Sequence, residues 1–200
     1  METCIVEGNI SVKAVLLGKK RKVHKILVDA KKKDKDTAFI LHKAKEAQVD
    51  ITYMKREEID ALATGKTHGG IIAYCGQRKY QNLEELVNKK QVFLALVEGV
   101  EDPFNFGYVL RTLYAAGCDG VLVPLRNWTT AADVVTRASA GASEYINIII
   151  ADDMEDTLTY LHQKRYHASL CAAQRCNLAL FLHLSRTHLS CYRRRNAWLK

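Results

Sequence analysis

The sequence predicts an α/β protein with two folded parts, and three observations support this prediction. First, 48% of the 200 residues are hydrophobic and 26% are charged, a balance typical of globular chains. Second, short apolar runs alternate with amphipathic segments along most of the chain, as strands and helices do. Third, residues 1–90 carry 19 Lys and Arg against 12 Asp and Glu, residues 91–173 carry 5 against 10, and residues 174–200 carry 6 against none. We expect only the first two blocks to fold as domains.

The same composition excludes several classes of protein. No apolar run approaches the roughly 18 residues that a membrane-spanning helix needs, and the residues after Met1 do not resemble a secretory signal. The six cysteines are scattered without a tight framework, which favours free thiols in a reducing cytoplasm. We therefore expect a cytoplasmic protein with no membrane partner and no metal site.

The first block, residues 1–78, is predicted to be a small α/β sandwich. Its helices are expected at 10–17, 37–48 and 57–63, and its strands at 23–28, 51–54 and 71–75. Either Asn9 or Ser11 is expected to cap the first helix, since both residue types accept hydrogen bonds from helical N–H groups. A linker over 79–91 is expected to follow.

The second block, residues 92–173, is predicted to be a doubly wound parallel sheet. Residues 92–98 are an almost unbroken apolar run, typical of a parallel strand that is covered on both faces. Helices are expected from about 105 to 116, 130 to 139 and 153 to 163, alternating with strands at 121–123, 146–150 and 166–171. Ligands of such sheets bind at the carboxyl ends of the strands, so the loop over 99–107 is the expected site.

Residues 98–112 contain the motif Asp-Pro-x-Asn-x-Gly-x-x-x-Arg, and Ala115-Ala116-Gly117 follow it. This segment resembles the first motif of the SpoU (TrmH-like) RNA 2′-O-ribose methyltransferases. Arg126-Asn127-Trp128 and residues 139–144 fit the same family. Across about 4–173 the chain resembles a substrate-binding domain akin to small RNA-binding ribosomal proteins, followed by a SPOUT-type domain.

The resemblance implies a function and a set of site residues. The family transfers a methyl group from S-adenosylmethionine to a ribose 2′-hydroxyl of ribosomal or transfer RNA, usually as a homodimer. By position, Arg111 matches the arginine assigned to the reacting hydroxyl, and Asn105 matches the asparagine of the motif. Since the pKa of arginine exceeds about 12, we expect Arg111 to orient the hydroxyl or a phosphate rather than to remove a proton.

Each of these residues also has a structural alternative. Arg111 has the alternative of a plain surface residue of its helix, and either Asp102 or Asn105 is available to cap that helix. Glu144 is either a functional acid or a solvated carboxylate on a loop.

Candidate RNA contacts lie in the basic first block. Its clusters Lys19-Lys20-Arg21-Lys22 and Lys31-Lys32-Lys33 favour a polyanion, because phosphates that lysine neutralises release counterions. The alternative is a solvated face around two turns. His68, with Gly69 in place of the family's usual Gln after it, either contacts the ligand or is satisfied by the backbone of its turn. The candidate RNA-binding residues are Lys13, Lys19, Lys20, Arg21, Lys22 and His68.

The family's later motifs, Gly-x-Glu-x-x-Gly and a segment ending in Ser-Leu-Asn, do not occur in this sequence. In the family they bind S-adenosylmethionine and form a trefoil knot. No intact cofactor-binding residue is therefore predicted, and the SPOUT-type domain is expected to be truncated and without its knot. The sequence accordingly favours a methyltransferase that is inactive as written, with a non-catalytic RNA-binding remnant as the alternative.

Residues 174–200 form a tail that we interpret as out of frame. They contain five arginines, one lysine, no acidic residue and no glycine. One set of codons for residues 187–200, shifted by one base, encodes Gly-Gly-Glu-Met-Arg-Gly-Leu, which contains the missing motif. The last glycine of that motif is forced, because a TGG codon for Trp198 precedes a leucine codon that begins with C or T.

The tail has two competing interpretations. One is a zinc site from loosely spaced thiol and imidazole groups, although no tight cysteine pair begins it. The groups concerned are Cys171, Cys176, His183, His188 and Cys191. The other is RNA binding by Arg193-Arg194-Arg195.

Overall fold

A computed structural model describes residues 3–65, 67–88, 92–125, 131–173 and 176–182. The strands are β1 (Cys4–Glu7), β2 (Val23–Asp29), β3 (Asp50–Met54), β4 (Ile71–Cys75), β5 (Phe93–Glu98), β6 (Gly120–Pro124), β7 (Asn147–Ala151), β8 (His167–Ala173) and β9 (Cys176–Leu182). The α-helices are α1 (Asn9–Gly18), α2 (Lys35–Glu46), α3 (Arg56–Leu62), α4 (Leu83–Val87), α5 (Pro103–Ala115), α6 (Ala132–Ala138) and α7 (Met154–Gln163), and a 3-10 turn covers Ala142–Glu144. None of these helices combines the length and apolar character needed to cross a bilayer.

The chain divides into two compact units that are discontinuous in sequence. Unit 1 consists of Met1–Tyr80, Glu101–Tyr114 and Arg126–Ile146. Unit 2 consists of Gln81–Val100, Ala115–Leu125 and Asn147–Lys200. The α5 helix and the turn at Ala142–Glu144 therefore belong to the same unit as the basic first block.

Unit 1 is built on a four-stranded mixed sheet with strand order β1-β4-β2-β3. β2 and β3 are parallel, whereas β4 is antiparallel to both β1 and β2. Successive side chains of a strand point to opposite faces, so Ile26 and Val28 enter one core while Leu27 enters another with Ile59 and Ile72. The first core also takes Val12 and Val15 of α1, Ile40 of α2 and Ile71 of β4. The predicted α/β sandwich is thus present, and the six predicted elements lie within two residues of their predicted bounds, whereas β1 was not predicted.

Helix capping in unit 1 differs from the prediction at α1. Gly8 occupies the N-cap position without a side-chain hydrogen bond, so neither Asn9 nor Ser11 caps that helix. The helix α2 does have a side-chain N-cap, because the side chain of Asp34 accepts a hydrogen bond from Thr37 N at 2.8 Å.

Unit 2 is a five-stranded sheet with strand order β7-β6-β5-β9-β8. β5, β6 and β7 pair in parallel, which confirms the predicted parallel sheet. β9 pairs antiparallel with both β5 and β8, so β8 runs in the direction of the first three strands. The strand β9 was not predicted, since its residues lie in the segment interpreted as an aberrant tail. The prediction that the trefoil knot is absent concerns residues that lie outside the described part of the chain.

The core of unit 2 lies on the face of the sheet that α4 and α7 cover. Leu94, Leu96 and Leu122 of the sheet pack with Leu86 of α4 and Leu161 of α7. The segment 79–91, predicted as a linker, therefore contains a helix whose Leu86 is buried. The domain bounds of 1–78 and 92–173 stay a prediction.

Candidate active site and nucleic-acid interface

The loop that follows β5 leads into α5, and Asp102 caps this helix. The Asp102 Oδ2 atom accepts a hydrogen bond from Asn105 N at 2.8 Å. Because Asn105 is the third residue of α5, its backbone N–H is one of the orphan donors that a capping side chain satisfies. The cap is therefore Asp102, and the alternative of Asn105 as the cap is wrong.

The two predicted catalytic residues lie on the exposed surface of α5. Asn105 stands in the first turn and Arg111 six residues later, and both side chains are exposed. Neither side chain forms a hydrogen bond or an ion pair with another residue in the described part of the chain. Phe104 and Tyr108 are exposed on the same helix, with 49% and 54% of their surface accessible. The amide and the guanidinium are therefore available to a ligand.

Two contacts fix α5 within unit 1. A Cβ atom added at Gly107 would lie 2.6 Å from the Ala138 Cβ and 3.0 Å from Ser139 N, so α5 approaches the end of α6 at a distance that only glycine permits. Near the end of α5, the ring of Tyr114 stacks on Tyr145 with centroids 5.8 Å apart. These contacts attach the predicted catalytic helix to residues 138–145.

Glu144 is the centre of a buried charge cluster. Its side chain is fully buried, and its two carboxylate oxygens accept hydrogen bonds from Arg21 Nε at 3.1 and 3.2 Å. Arg78 Nη1 lies 3.2 Å from Oε1 of the same carboxylate, and Arg78 Nη2 donates to the carbonyl of Ile146 at 2.9 Å. Glu144 is therefore neither the functional acid nor the solvated loop carboxylate that the sequence suggested.

Burial and charge act in opposite directions on the pKa values of these arginines. Burial is the largest single effect on Arg21 and lowers its pKa, but the Glu144 carboxylate, with smaller contributions from Cys4 and Cys75, outweighs it, so the net shift is upward. Burial also lowers the pKa of Arg78, and here Glu144 offsets it only in part while Arg21 adds to the decrease. Both guanidiniums are charged at neutral pH because the pKa of arginine is far above it. One carboxylate thus serves two buried cations.

The candidate RNA contacts are divided between the surface and the interior of unit 1. Lys19 and Lys22 are exposed and Lys20 is half-buried. Lys13 is half-buried, with its Nζ 4.9 Å from the centre of the Phe39 ring in a cation–π contact. The prediction that Arg21 contacts RNA is corrected, because its guanidinium is buried against Glu144.

The prediction that His68 contacts RNA is also corrected. The imidazole is 3% exposed, its Nδ1 accepts a hydrogen bond from Gly70 N at 3.3 Å, and its Nε2 lies 3.0 Å from Asp60 Oδ1. Both ring nitrogens are therefore satisfied inside the protein, as in the alternative of a turn histidine. Its role is to hold the turn before β4.

Two residues that matter here were not singled out from the sequence. Arg78 shares Glu144 with Arg21, and Lys79 lies beside Lys20 because its backbone N–H donates to the Lys20 carbonyl at 2.8 Å. They form an adjacent basic pair after β4, and no local pattern marks this pair as functional. Only the pairing of β2 with β4 brings them to the Lys19–Lys22 segment.

Several predicted features lie outside the described residues. They include the family segment Arg126-Asn127-Trp128 and, in the tail, His183, His188, Cys191 and Arg193-Arg194-Arg195. The backbone of Cys171 and Cys176 belongs to β8 and β9. Across the ranges that the structure describes, no group of three or more His, Cys, Asp or Glu side chains is arranged to hold a metal ion.

Comparison with known proteins identifies the class of protein. Residues 5–81 match the family described as RNA 2′-O ribose methyltransferase substrate binding, and residues 92–184 match the SpoU rRNA Methylase family. The chain belongs to the SpoU family, with a substrate-binding domain ahead of a methylase domain.

Curated relatives agree with this assignment. A putative TrmH family tRNA/rRNA methyltransferase of Staphylococcus aureus (strain COL) is 28% identical over 167 residues, which is 80% of this chain and 66% of the relative. The corresponding protein of Staphylococcus saprophyticus is 27% identical over 171 residues, covering 83% of this chain and 68% of the relative. The chain thus spans about two thirds of the length of the relatives it matches.

Solved structures show the same fold. An RNA 2′-O ribose methyltransferase superimposes with a TM-score of 0.63 at 22% identity, over 82% of this chain and 60% of that one. The SpoU methyltransferase AviRb of Streptomyces viridochromogenes, in complex with the cofactor AdoMet, has a TM-score of 0.63 at 14% identity with the same coverage. The α/β fold with a parallel sheet is therefore that of SPOUT methyltransferases.

Proposed function

We propose that this chain represents an S-adenosylmethionine-dependent 2′-O-ribose methyltransferase of ribosomal or transfer RNA. The observation that carries the proposal is the state of the family motif on α5. Asn105 and Arg111 occupy the motif positions with exposed side chains that form no hydrogen bond within the described residues, whereas the neighbouring Asp102 is used by the fold. A polar pair that the fold does not use is available for a substrate.

The chemistry assigned to the pair follows from their functional groups. The guanidinium of Arg111 presents a planar fork of donors that suits a phosphate or the ribose 2′-oxygen, and it stays charged at any working pH. The amide of Asn105 both donates and accepts hydrogen bonds, so it can fix the orientation of the same ribose. We assign to both residues the role of orienting the nucleophile. Bringing two reactants into the correct orientation accounts for a large part of the activation barrier of a bimolecular transfer.

The described residues do not complete a site for the cofactor. At the carboxyl ends of β5, β6 and β7 they present the exposed side chains of Glu98, Leu125 and Asp152, on three separate segments. The motifs that enclose S-adenosylmethionine in the family do not occur in the sequence. S-Adenosylmethionine would supply the methyl group.

We infer further that the 200 residues as written bind RNA without transferring a methyl group. This is the RNA-binding remnant of the sequence analysis, and the missing cofactor motifs favour it. A homodimer and a cytoplasmic location are carried over from the family resemblance and the composition, and they stay predictions. RNA is the expected macromolecular partner.

A methyl-transfer assay separates these proposals. The chain as written and a chain continued in the alternative reading frame are incubated with tritiated S-adenosylmethionine and with ribosomal or transfer RNA transcripts. We expect alkali-resistant 2′-O-methylated dinucleotides only from the continued chain, and we expect Arg111→Ala in that chain to abolish them. The methyltransferase proposal is contradicted if the continued chain binds cofactor and RNA but leaves every ribose unmethylated.

Resequencing the gene tests the interpretation of the tail independently. The region runs from the codon for Ala168 past the codon for Lys200. We expect a second frame that encodes Gly-x-Glu-x-x-Gly and then Ser-Leu-Asn. A confirmed frame without such a continuation would overturn the interpretation.

A further inference from the structure

Unit 1 carries two basic clusters at opposite ends of its sheet. The first, which we call the Lys22 edge, consists of Lys19, Lys20, Lys22 and Lys79. The second, which we call the Lys32 loop, consists of Lys31, Lys32, Lys33 and Arg56. Val23 pairs with Cys75 near the first cluster, whereas Val28 pairs with Ile71 near the second, so the length of β2 separates them. The sequence analysis named residues of the first cluster as candidates, but charge alone gave no physical reason to prefer it to the second.

Two of the four cations of the Lys32 loop are paired with carboxylates of the same region. Lys32 Nζ lies 2.7 Å from Asp34 Oδ2, and Arg56 Nε lies 2.9 Å from Asp60 Oδ1. Hydrogen bonds from Lys32 and from Thr37 N hold the pKa of the Asp34 carboxyl well below its usual range, so this acid stays ionised. A phosphate that approached this loop would compete with bound carboxylates.

Three of the four lysines of the Lys22 edge, Lys19, Lys22 and Lys79, differ in this respect. Among the residues that the structure describes, no carboxylate pairs with the ammonium groups of Lys19, Lys22 or Lys79. The carboxylate below this edge is that of Glu144, which is fully buried and shared by Arg21 and Arg78. The edge therefore keeps an excess of positive charge at its surface.

The fold builds the Lys22 edge from two distant segments. Gly76 N donates to the Lys22 carbonyl and Lys79 N donates to the Lys20 carbonyl, both at 2.8 Å. These bonds align the residues after β4 with those before β2, which brings Lys79 into the cluster. The Glu144 pairs with Arg21 and Arg78 fix one residue of each segment from below. The lysines are thus presented from a rigid base.

The backbone of Lys19 is a separate observation on the same edge. A Cβ at Gly18 would lie 2.0 Å from the Glu144 carbonyl oxygen, so glycine is required at that position. The C-cap of α1 is the next residue, Lys19, which adopts the left-handed conformation. Lys19 has a φ of 54°, a left-handed conformation that is unfavourable for a residue with a side chain. Lys19 thus occupies a position where glycine would adopt the same backbone conformation at a lower cost in free energy.

We propose that the Lys22 edge, and not the Lys32 loop, binds the phosphate backbone of RNA. The proposal rests on the proposed function for the identity of the polyanion. It adds Lys79 to the predicted contacts, removes Arg21 and His68 from them, and assigns the role of Glu144 to holding the two segments of the edge together.

Two variants with equal charge change test this proposal in the full chain. One variant combines Lys19→Gln, Lys22→Gln and Lys79→Gln. The matched control combines Lys31→Gln and Lys33→Gln of the Lys32 loop with Lys35→Gln, an exposed lysine that follows the loop at the start of α2. Fluorescence anisotropy with a labelled ribosomal RNA hairpin gives the affinity at several KCl concentrations. Since each lost phosphate contact lowers the salt slope by about 1, we expect the first variant to lose about 3 in slope and about tenfold or more in affinity. The control should bind with nearly the wild-type slope, and circular dichroism should show both variants folded.

The outcomes are distinct. If both variants lose equally, RNA binding depends on overall charge and the Lys22 edge is not a site. If only the Lys31–Lys35 variant loses affinity, the assignment is reversed and the proposal is wrong. If the wild-type chain itself shows no salt-dependent RNA binding, the proposed function fails along with this inference.

Discussion

Glu144 and Arg21 form a buried ion pair across 123 residues of sequence, with Arg21 Nε at 3.1 and 3.2 Å from the two carboxylate oxygens. The pair joins the turn at Ala142–Glu144 to the segment that follows α1. Arg78 closes the cluster from the segment after β4. The basic first block and the family segment at residues 139–144 therefore belong to one compact unit.

Removing the carboxylate of Glu144 should lower the free energy of unfolding substantially. Glu144→Ala leaves two guanidiniums buried without a counter-charge, and breaking a buried pair in this way typically costs about 3–5 kcal/mol. We expect a loss of that size in the free energy of unfolding, measured by urea denaturation. Glu57→Ala, at an exposed acid of α3, is the control and should change stability by no more than about 0.5 kcal/mol. Equal stability of the two variants would contradict the buried cluster.

Gly107→Ala tests the packing of α5. Inside an exposed helix, this change would ordinarily stabilise by about 1 kcal/mol. Here the added Cβ meets the Ala138 Cβ at 2.6 Å, and such overpacking costs about 1–3 kcal/mol. We expect net destabilisation in thermal unfolding, with Thr112→Ala as a nearly neutral control on the exposed side of the same helix. A more stable Gly107→Ala variant would show that α5 does not approach α6.

Variants at the start of α5 distinguish the structural role of Asp102 from the functional role proposed for Asn105. Asp102→Ala removes the hydrogen bond to Asn105 N and should cost about 1 kcal/mol of stability. Asn105→Ala and Arg111→Ala remove exposed side chains without described partners, so each should change stability by no more than about 0.5 kcal/mol. Differential scanning calorimetry of the three variants measures this contrast. A large loss for Asn105→Ala would return that residue to a structural role.

The buried thiols predict an alkaline limit of stability. Burial raises the pKa of the Cys118 thiol to about 11, and it also raises the pKa of Cys4 and of Cys75. An unfolded thiol ionises near pH 9, so the folded state loses stability as the pH rises from there towards 11. We expect the urea midpoint to fall over this interval. Cys118→Ala should fall less steeply, and identical curves would contradict the raised pKa of Cys118.

Reactivity gives a second readout of the same burial. At pH 8 in the native state, Cys4, Cys75 and Cys118 should resist iodoacetamide because the thiolate is the nucleophile. Mass spectrometry of peptides after a short pulse identifies the labelled sites. Rapid labelling of any of the three would show that its segment opens in the native state.

The sequence predicted the elements whose signal is local. The alternating apolar runs located β4 at residues 71–75 without error, and the uninterrupted run at 92–98 predicted β5 to within one residue. Hydrophobic periodicity is a property of neighbouring residues, so these elements did not depend on the tertiary fold. The family motif likewise identified α5, Asn105 and Arg111 as candidates.

The features that were missed depend on contacts between distant segments. Glu144 is a loop carboxylate in the sequence, and only the approach of Arg21 and Arg78 buries it. His68 resembles a ligand contact until Asp60 and Gly70 N satisfy its ring. β9 lies in a segment whose composition argued against structure, yet pairing with β5 makes it a strand. Such partners cannot be read from local periodicity.

The most direct test of the central claim is a pair of equilibrium titrations of the full chain, one with a ribosomal RNA hairpin and one with S-adenosylmethionine. We expect RNA binding that weakens steeply as KCl rises, and no binding heat with S-adenosylmethionine. Cofactor binding by the chain as written would contradict the inferred loss of activity. The absence of RNA binding at low salt would contradict the RNA-directed function itself.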